Sequence, residues 1–379
     1  MLLYTYAVAC FLLASGYLLL LRAVLRTWRS MPMWEAPADF QPSVRVSVVI
    51  AARNEAENIE SCVRSVLACN YPTALREIVV VDDYSEDDTA KRVAGLVAAH
   101  PDEVRLLRLS EAHPPAPPGK KSALSRGIAC ACGELVVTTD ADCLVPPRWL
   151  RLLASAYEKR RAGAIVAPVA LQARNGWERF QALDVAATMG ITGAALARHW
   201  FAMGNGANLC YPKATFQRVG GFAGNAHCAS GDDMFLLAKL PIEEVFFLKN
   251  ADAAVETQPC PTVMAFFQQR LRWGTKNTGW TNRRLQAVLA LLWALPFAVV
   301  CNALLALWHP LLGGMALLLF GVKAWADWRL LREMTAFFHQ KKNLSHFWTA
   351  LLIHTAYLAV VGLASLVVRR YSWKGRRWR

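Results

Sequence analysis

Charged side chains are scarce in this chain of 379 residues: Asp, Glu, Lys and Arg make up 18%, against 55% hydrophobic residues. So small a share excludes an ordinary soluble enzyme of this size. The apolar excess gathers at the two ends, which points to membrane segments flanking a soluble middle. Paired cysteine motifs are missing as well. Ten cysteines occur, but none form a CxxC pair, and Cys130 and Cys132 stand too close for a zinc knuckle. A disulfide framework and a Cys/His metal site are thereby excluded. The cysteines read as small buried residues of a reducing, cytosolic compartment. Acidic residues are the fewer too, 28 against 42 basic, for a net charge of +14. A polyanionic partner is expected from that balance. Its place is marked by Arg22, Arg26 and Arg29 after the first apolar run, and by Arg369, Arg370, Lys374, Arg376, Arg377 and Arg379 after the last. Basic residues so placed orient a chain in the membrane and meet lipid headgroups. No nucleic-acid recognition motif accompanies them, so no nucleic-acid partner is expected. No internal repeat is evident.

What is present divides into three regions. Leu2 to Leu21 carries no charge and is long enough for one helical crossing. No Lys or Arg precedes it, so it lacks the basic start of a signal peptide and reads as an anchor over residues 1–24. The arginines that follow place its C-terminal end in the cytoplasm. Beyond it, Val44–Ala51, Glu77–Asp82, Val104–Leu109, Glu134–Thr139 and Ala164–Val169 are β-rich. Helical stretches Glu55–Ala68, Asp87–Ala99, Lys120–Cys130 and Arg148–Arg160 lie between them. This alternation predicts a Rossmann-like α/β domain with a mostly parallel sheet over residues 43–260. Glu111–Gly119, with its four prolines, is a loop. An interfacial segment over 261–283 then leads into a C-terminal transmembrane bundle over 285–368, made of Leu285–Ala306, Pro310–Ala326 and Phe347–Val368, and a basic tail over 369–379. Four crossings that begin outside also end outside, yet so basic a tail belongs inside. Either one segment re-enters the membrane or the middle pair does not both span.

Carboxylates stand where strands end. Asp140 and Asp142 follow the strand Val-Val-Thr-Thr, and ligands of open α/β sheets bind at the carboxyl ends of strands. Two carboxylates one residue apart suit a hard divalent cation bridging to diphosphate oxygens, although acidic turns are common without a metal. Asp82 and Asp83 end another apolar strand, where a carboxylate meets a base N–H or a ribose hydroxyl, or caps the next helix as Ser85 and Asp87 also can. Asp232 and Asp233 follow Gly231 at the start of a helix. They suit a general base for an acceptor hydroxyl, or again a cap. Gln269, Arg272 and Trp273 share one helical face. They suit a phosphate clamp with a flat sugar platform, or an interfacial anchor. Gly204 to Asn208 is a small-residue loop that permits close approach of a ligand, and Lys120 starts a helix, a position that suits a phosphate.

In this order and spacing the elements resemble the family 2 inverting glycosyltransferases of GT-A fold. The likeness is nearest to their membrane-integrated branch of cellulose, hyaluronan and poly-N-acetylglucosamine synthases and ceramide glucosyltransferase, and covers about residues 43–275. The resemblance implies that Val48 to Glu55 form the first strand and nucleotide-binding turn, with Arg53 stacking on uracil where relatives carry an aromatic residue. It implies that Asp83 contacts the base, Lys120 lies near the nucleotide, and Asp140 and Asp142 hold Mg²⁺ or Mn²⁺. By the same likeness Asp233, with Asp232 beside it, is the catalytic base. Gln269, Arg272 and Trp273 are the QxxRW element at the diphosphate and acceptor. Arg53, Glu55, Asp83, Lys120, Asp140, Asn208, Gln269 and Trp273 are thus the expected substrate-binding residues. The implied activity is inverting transfer of a hexose or N-acetylhexosamine from a UDP-sugar to a lipid or lipid-linked acceptor, at the cytoplasmic face of the cell membrane. The alternatives are a processive polysaccharide synthase acting on a glycan and a non-catalytic membrane scaffold.

Overall fold

In the computed structural model, residues 1–112, 117–224, 231–274, 282–367, 371–373 and 376–378 are described. The middle of the proline loop, Ser230, residues 275–281 of the interfacial segment and part of the basic tail lie outside them. The sheet begins with three strands whose near-continuous Val/Ile content suits burial on both faces: β1 (Val46–Ala52), β2 (Arg76–Asp82) and β4 (Leu135–Asp140). With β3 (Val104–Arg108), β5 (Ala164–Val166), β7 (Leu209–Pro212) and β8 (Val245–Phe247) they form a seven-stranded sheet in the order β3-β2-β1-β4-β7-β5-β8. The β3-β2-β1-β4 half is parallel, and β7 runs antiparallel to both β4 and β5. Helices α2 (Ile59–Leu67), α3 (Thr89–Ala99), α4 (Lys120–Cys130) and α5 (Trp149–Arg160) connect or follow these strands.

The expected strand Ala164–Val169 is two strands. Pro168 has no N–H to donate, so the ladder breaks there, and β6 (Val169–Leu171) pairs instead with β9 (Val255–Thr257) in a separate parallel ribbon. A second correction concerns α6 (Gly176–Ala197), a helix that strand–helix alternation did not reveal. It is apolar enough to cross a membrane, but its apolar stretch is largely buried within the protein. It also begins and ends in the α/β domain, between β6 and β7. The helix is an internal strut.

The remaining long apolar helices are α1 (Leu2–Ser30), ahead of the sheet, and α10 (Arg283–Leu305), α11 (Pro310–Phe337) and α12 (Phe347–Val367), which follow the shorter α7 (Lys213–Arg218), α8 (Asp232–Leu237) and α9 (Val263–Gly274). Helix α11 runs well past the expected end at Ala326. Some of the charges that interrupt its apolar pattern are paired: inside the bundle Lys323 meets Asp327 and Tyr17 donates to Asp327 at 2.6 Å, and at a more exposed position Arg29 meets Glu333 at 2.8 Å. Helix α10 lies antiparallel to α1, with Asn302 donating to Tyr6 and Leu291 against Gly16. Helix α12 behaves differently. It starts at His346, whose ring is 3.1 Å from Arg179 of α6, and ends with Ser365 against Gly274 of α9. Between these ends it packs on the first half of α10 at Trp293 and the second half of α11 at Trp328.

Candidate active site

The turns after β1 and β2 interlock at the rim of a cavity. Asn54 and Tyr84 both hold positive φ, at 51° and 56°, a conformation that costs energy in a residue with a side chain. The turns are locked by Asn54 N–H donating to Ser85, Glu86 N–H to Asn54 and Ala56 N–H to Asp87. Arg53 spans them, donating to the carbonyls of Asp83 (3.0 Å) and Tyr84 (2.7 Å) and pairing with Glu86. The two aspartates of β2 divide their work as the local geometry allows. Asp82 accepts from Ser85 N–H, while Asp83 faces the cavity and accepts from Gly119 N–H at 2.9 Å.

Lys120 is the electrostatic centre. Its ammonium is 2.6 Å from Asp140 and 3.3 Å from Asp232. Burial alone would lower its pKa, but Asp140, Asp232 and Asp233 outweigh burial and raise it above the ordinary lysine value. The charge is therefore permanent. Asp233 is held by two backbone donors, Gly206 N–H at 3.1 Å and its own helix's Met234 N–H at 2.7 Å. Gly206 is required by this crowding, since a Cβ there would stand 2.8 Å from Asp232 Oδ2. Asp142 accepts from Thr257 at 3.4 Å. The nearby thiols of Cys62 and Cys143 are raised, first by burial and then by Asp142 and Asp140.

Asp83, Lys120, Asp140, Asp142, Asp232 and Asp233 line one cavity of about 280 Å³, together with Arg53, Glu55, Gln269, Arg272 and Trp273. Sequence reasoning did not anticipate Gln181 and Val185 from α6, Arg270 from α9, or the strap Thr257–Cys260. The strap carries no motif, and α6 offered only its apolar length as a signal. Asn208 is the residue that does not reach the cavity. It is fully buried, accepts from Trp149 Nε1 at 2.9 Å, and donates to the carbonyls of Pro168 (2.6 Å) and Ala253 (2.8 Å). Both ends of its amide are spent on the scaffold, and its neighbours Asn205, Gly206 and Ala207 form the wall instead. Asn208→Ala leaves the Trp149 indole N–H and the Ala253 carbonyl without this partner, while the Pro168 carbonyl keeps Val255 N–H, and should cost about 2–4 kcal/mol of stability. A lowered thermal midpoint checks this, and an unchanged midpoint would contradict it.

A mostly parallel sheet with acidic strand ends, closed over by an Arg–Trp helix beside apolar helices, is that of a GT-A glycosyltransferase. More narrowly, the chain belongs to the family described as glycosyltransferase like family 2, which matches residues 42–276. It is similar to the beta-monoglucosyldiacylglycerol synthase of Synechocystis sp., 26% identical over 325 residues, covering 80% of this chain and 66% of that one. The chain thus spans just under two thirds of that relative. The enzyme of the same name from Nostoc sp. is 24% identical over 357 residues, covering 85% of this chain and 74% of that one. Among solved structures, the mannosyltransferase PcManGT from Pyrobaculum calidifontis, in complex with GDP-Man and Mn²⁺, shares the fold. Its TM-score is 0.57 at 22% identity, covering 94% of this chain and 97% of that one.

Proposed function

We propose that the chain transfers a hexose or N-acetylhexosamine from a UDP-sugar to a hydroxyl of a lipid or lipid-linked acceptor, with inversion, at the cytoplasmic face of the cell membrane. The observation that carries this reading is the single cavity in which Asp140, Asp142, Lys120, Asp233, Arg272 and Trp273 converge beside the apolar helices. The acceptor class is supported by relatives that are named as synthases of a glucosylated diacylglycerol.

In this mechanism Asp233 takes the proton of the acceptor hydroxyl as its oxygen bonds to the anomeric carbon. The bond from that carbon to the diphosphate breaks in line, and the electron pair leaves with the nucleoside diphosphate. Lys120 and Arg272 hold the departing oxygens, Asp83 and Glu55 orient the nucleoside, and Trp273 faces the acceptor sugar or headgroup. Among the described residues no three His, Cys, Asp or Glu side chains cluster for a metal. Asp140 and Asp142, with carboxylate oxygens at the cavity, fit a divalent cation that shares its coordination with donor oxygens and water. Bound there, Mg²⁺ or Mn²⁺ would supply Lewis-acid stabilisation of the leaving group.

Membranes carrying the protein, incubated with radiolabelled UDP- and GDP-sugars with and without Mn²⁺, test the reading. Label in a lipid extract supports it. Label in a polymer ladder would replace it with a polysaccharide synthase, and no incorporation from any donor would refute it.

The same reading assigns three crossings, α1, α10 and α11. Helix α12 then lies on the catalytic side of the bilayer, because its start meets α6 and its end meets α9. Three crossings that begin outside end inside, which reconciles the basic tail with the positive-inside rule. A cysteine placed at the C-terminus of intact cells should resist a membrane-impermeant maleimide, and rapid labelling from outside would exclude this topology.

A further inference from the structure

Behind the wall formed by α9, charged and aromatic side chains from three helices meet out of solvent. Asp184, in the middle of α6, pairs with Arg270 of α9 at 2.6 Å, and each side chain is only 7% exposed. The other carboxylate oxygen of Asp184 accepts the Tyr357 hydroxyl of α12 at 2.7 Å, with His354 Nε2 3.6 Å away. The Arg270 guanidinium lies over two rings of its own helix, Phe266 at 4.6 Å and Trp273 at 4.2 Å. Phe266 in turn meets Tyr357 edge-on.

Burial of such a pair is a poor way to gain stability, since apolar residues of the same size serve as well or better. What it adds is direction. A guanidinium bonded to a fixed carboxylate and stacked on an indole sets the rotation of the helix and the plane of the ring. Here the ring is Trp273, which lines the cavity beside Arg272. The far end of the linkage is α12, whose other face exposes Trp348, Leu352 and Val360. In the topology assigned above, that face meets lipid.

We infer that Asp184 and Arg270, anchored to α12 through Tyr357, are positioning residues that orient Trp273 for the acceptor, so that acceptor capture depends on the seating of the lipid-facing helix. This rests on the reading of Trp273 as an acceptor residue. The nucleoside end of the donor, met by residues after β1 and β2, is left alone, whereas its diphosphate end shares α9 through Arg272.

The test uses the full chain in lipid nanodiscs with Asp184→Asn, Arg270→Gln, Arg270→Lys and Tyr357→Phe. Amide exchange across Val263–Gly274 should rise about tenfold in Asp184→Asn and Arg270→Gln, with a smaller rise in Tyr357→Phe, while β1 and β4 are unchanged. Arg270→Lys, which keeps the charge but not the planar stacking, should restore α9 only in part. In Asp184→Asn, at a position that does not line the cavity, acceptor KM should rise about tenfold or more, while affinity for uridine, which lacks the diphosphate that Arg272 holds, stays within about twofold. Arg270 lines the cavity itself, so its variants are judged by exchange. Unchanged exchange in α9 would overturn the proposal. So would equal acceleration in β4, which marks general loosening, or acceptor and uridine constants that move together. If no donor–acceptor pair supports transfer, the transferase reading fails in the rate measurement, and exchange still decides whether the pair positions α9.

Discussion

Asp233→Asn is expected to lower kcat/KM for transfer about a thousandfold, because a general base typically contributes 10² to 10⁴. The substitution preserves shape but removes the proton acceptor. It also disturbs the backbone bonds from Gly206 and Met234, since an amide offers one oxygen where the carboxylate offers two. That loss is worth about 1 kcal/mol, or roughly fivefold, and is too small to account for a thousandfold effect. The control is the neighbour. Asp232 pairs with Lys120, so Asp232→Asn should weaken charge placement and cost less than Asp233→Asn. Rates are compared with UDP–Mn²⁺ affinity measured on the same preparations. A larger loss at Asp232 would exchange the two roles.

The second large effect is expected at Asp142. Removing its charge with Asp142→Ala should reduce kcat/KM about a hundredfold or more and abolish stimulation by Mn²⁺, a loss of about 3 kcal/mol of leaving-group stabilisation. The protein should still fold. Among its contacts are an acceptance from Thr257 at 3.4 Å and a long approach from the Cys143 thiol, and neither of these holds the core. A manganese titration of product formation checks this, and full activity with an unaltered metal response would remove Asp142 from the site. Asp140 is less clean to test, because its loss also unpairs Lys120.

Much of this site was legible in the sequence. Asp83 and Asp140 follow runs of Val, Ile and Thr that are nearly all buried in β2 and β4. Such runs forecast strands, and parallel strands present their carboxyl ends at one edge. Gln269, Arg272 and Trp273 were grouped by helical spacing alone and do line the cavity. Asn208 was misleading because small-residue loops look alike whether a side chain faces ligand or scaffold. Only its three hydrogen-bond partners, distant in the chain, distinguish the two.

The local pattern of the sequence therefore determined the α/β class, the acidic strand ends, the helical grouping of Arg272 and Trp273, and the presence of apolar helices at both ends. Such features depend on neighbours within a few residues, where periodicity and chemistry suffice. Tertiary structure decided how they combine. It set Lys120 between Asp140 and Asp232, made α6 an internal strut, turned α12 back against α9, and joined Asp184 to Tyr357, 173 residues away. An apolar helix has the same composition whether it crosses, re-enters or is buried. A buried carboxylate takes its partner from whichever helix packing brings within reach, and packing is a property of the whole chain.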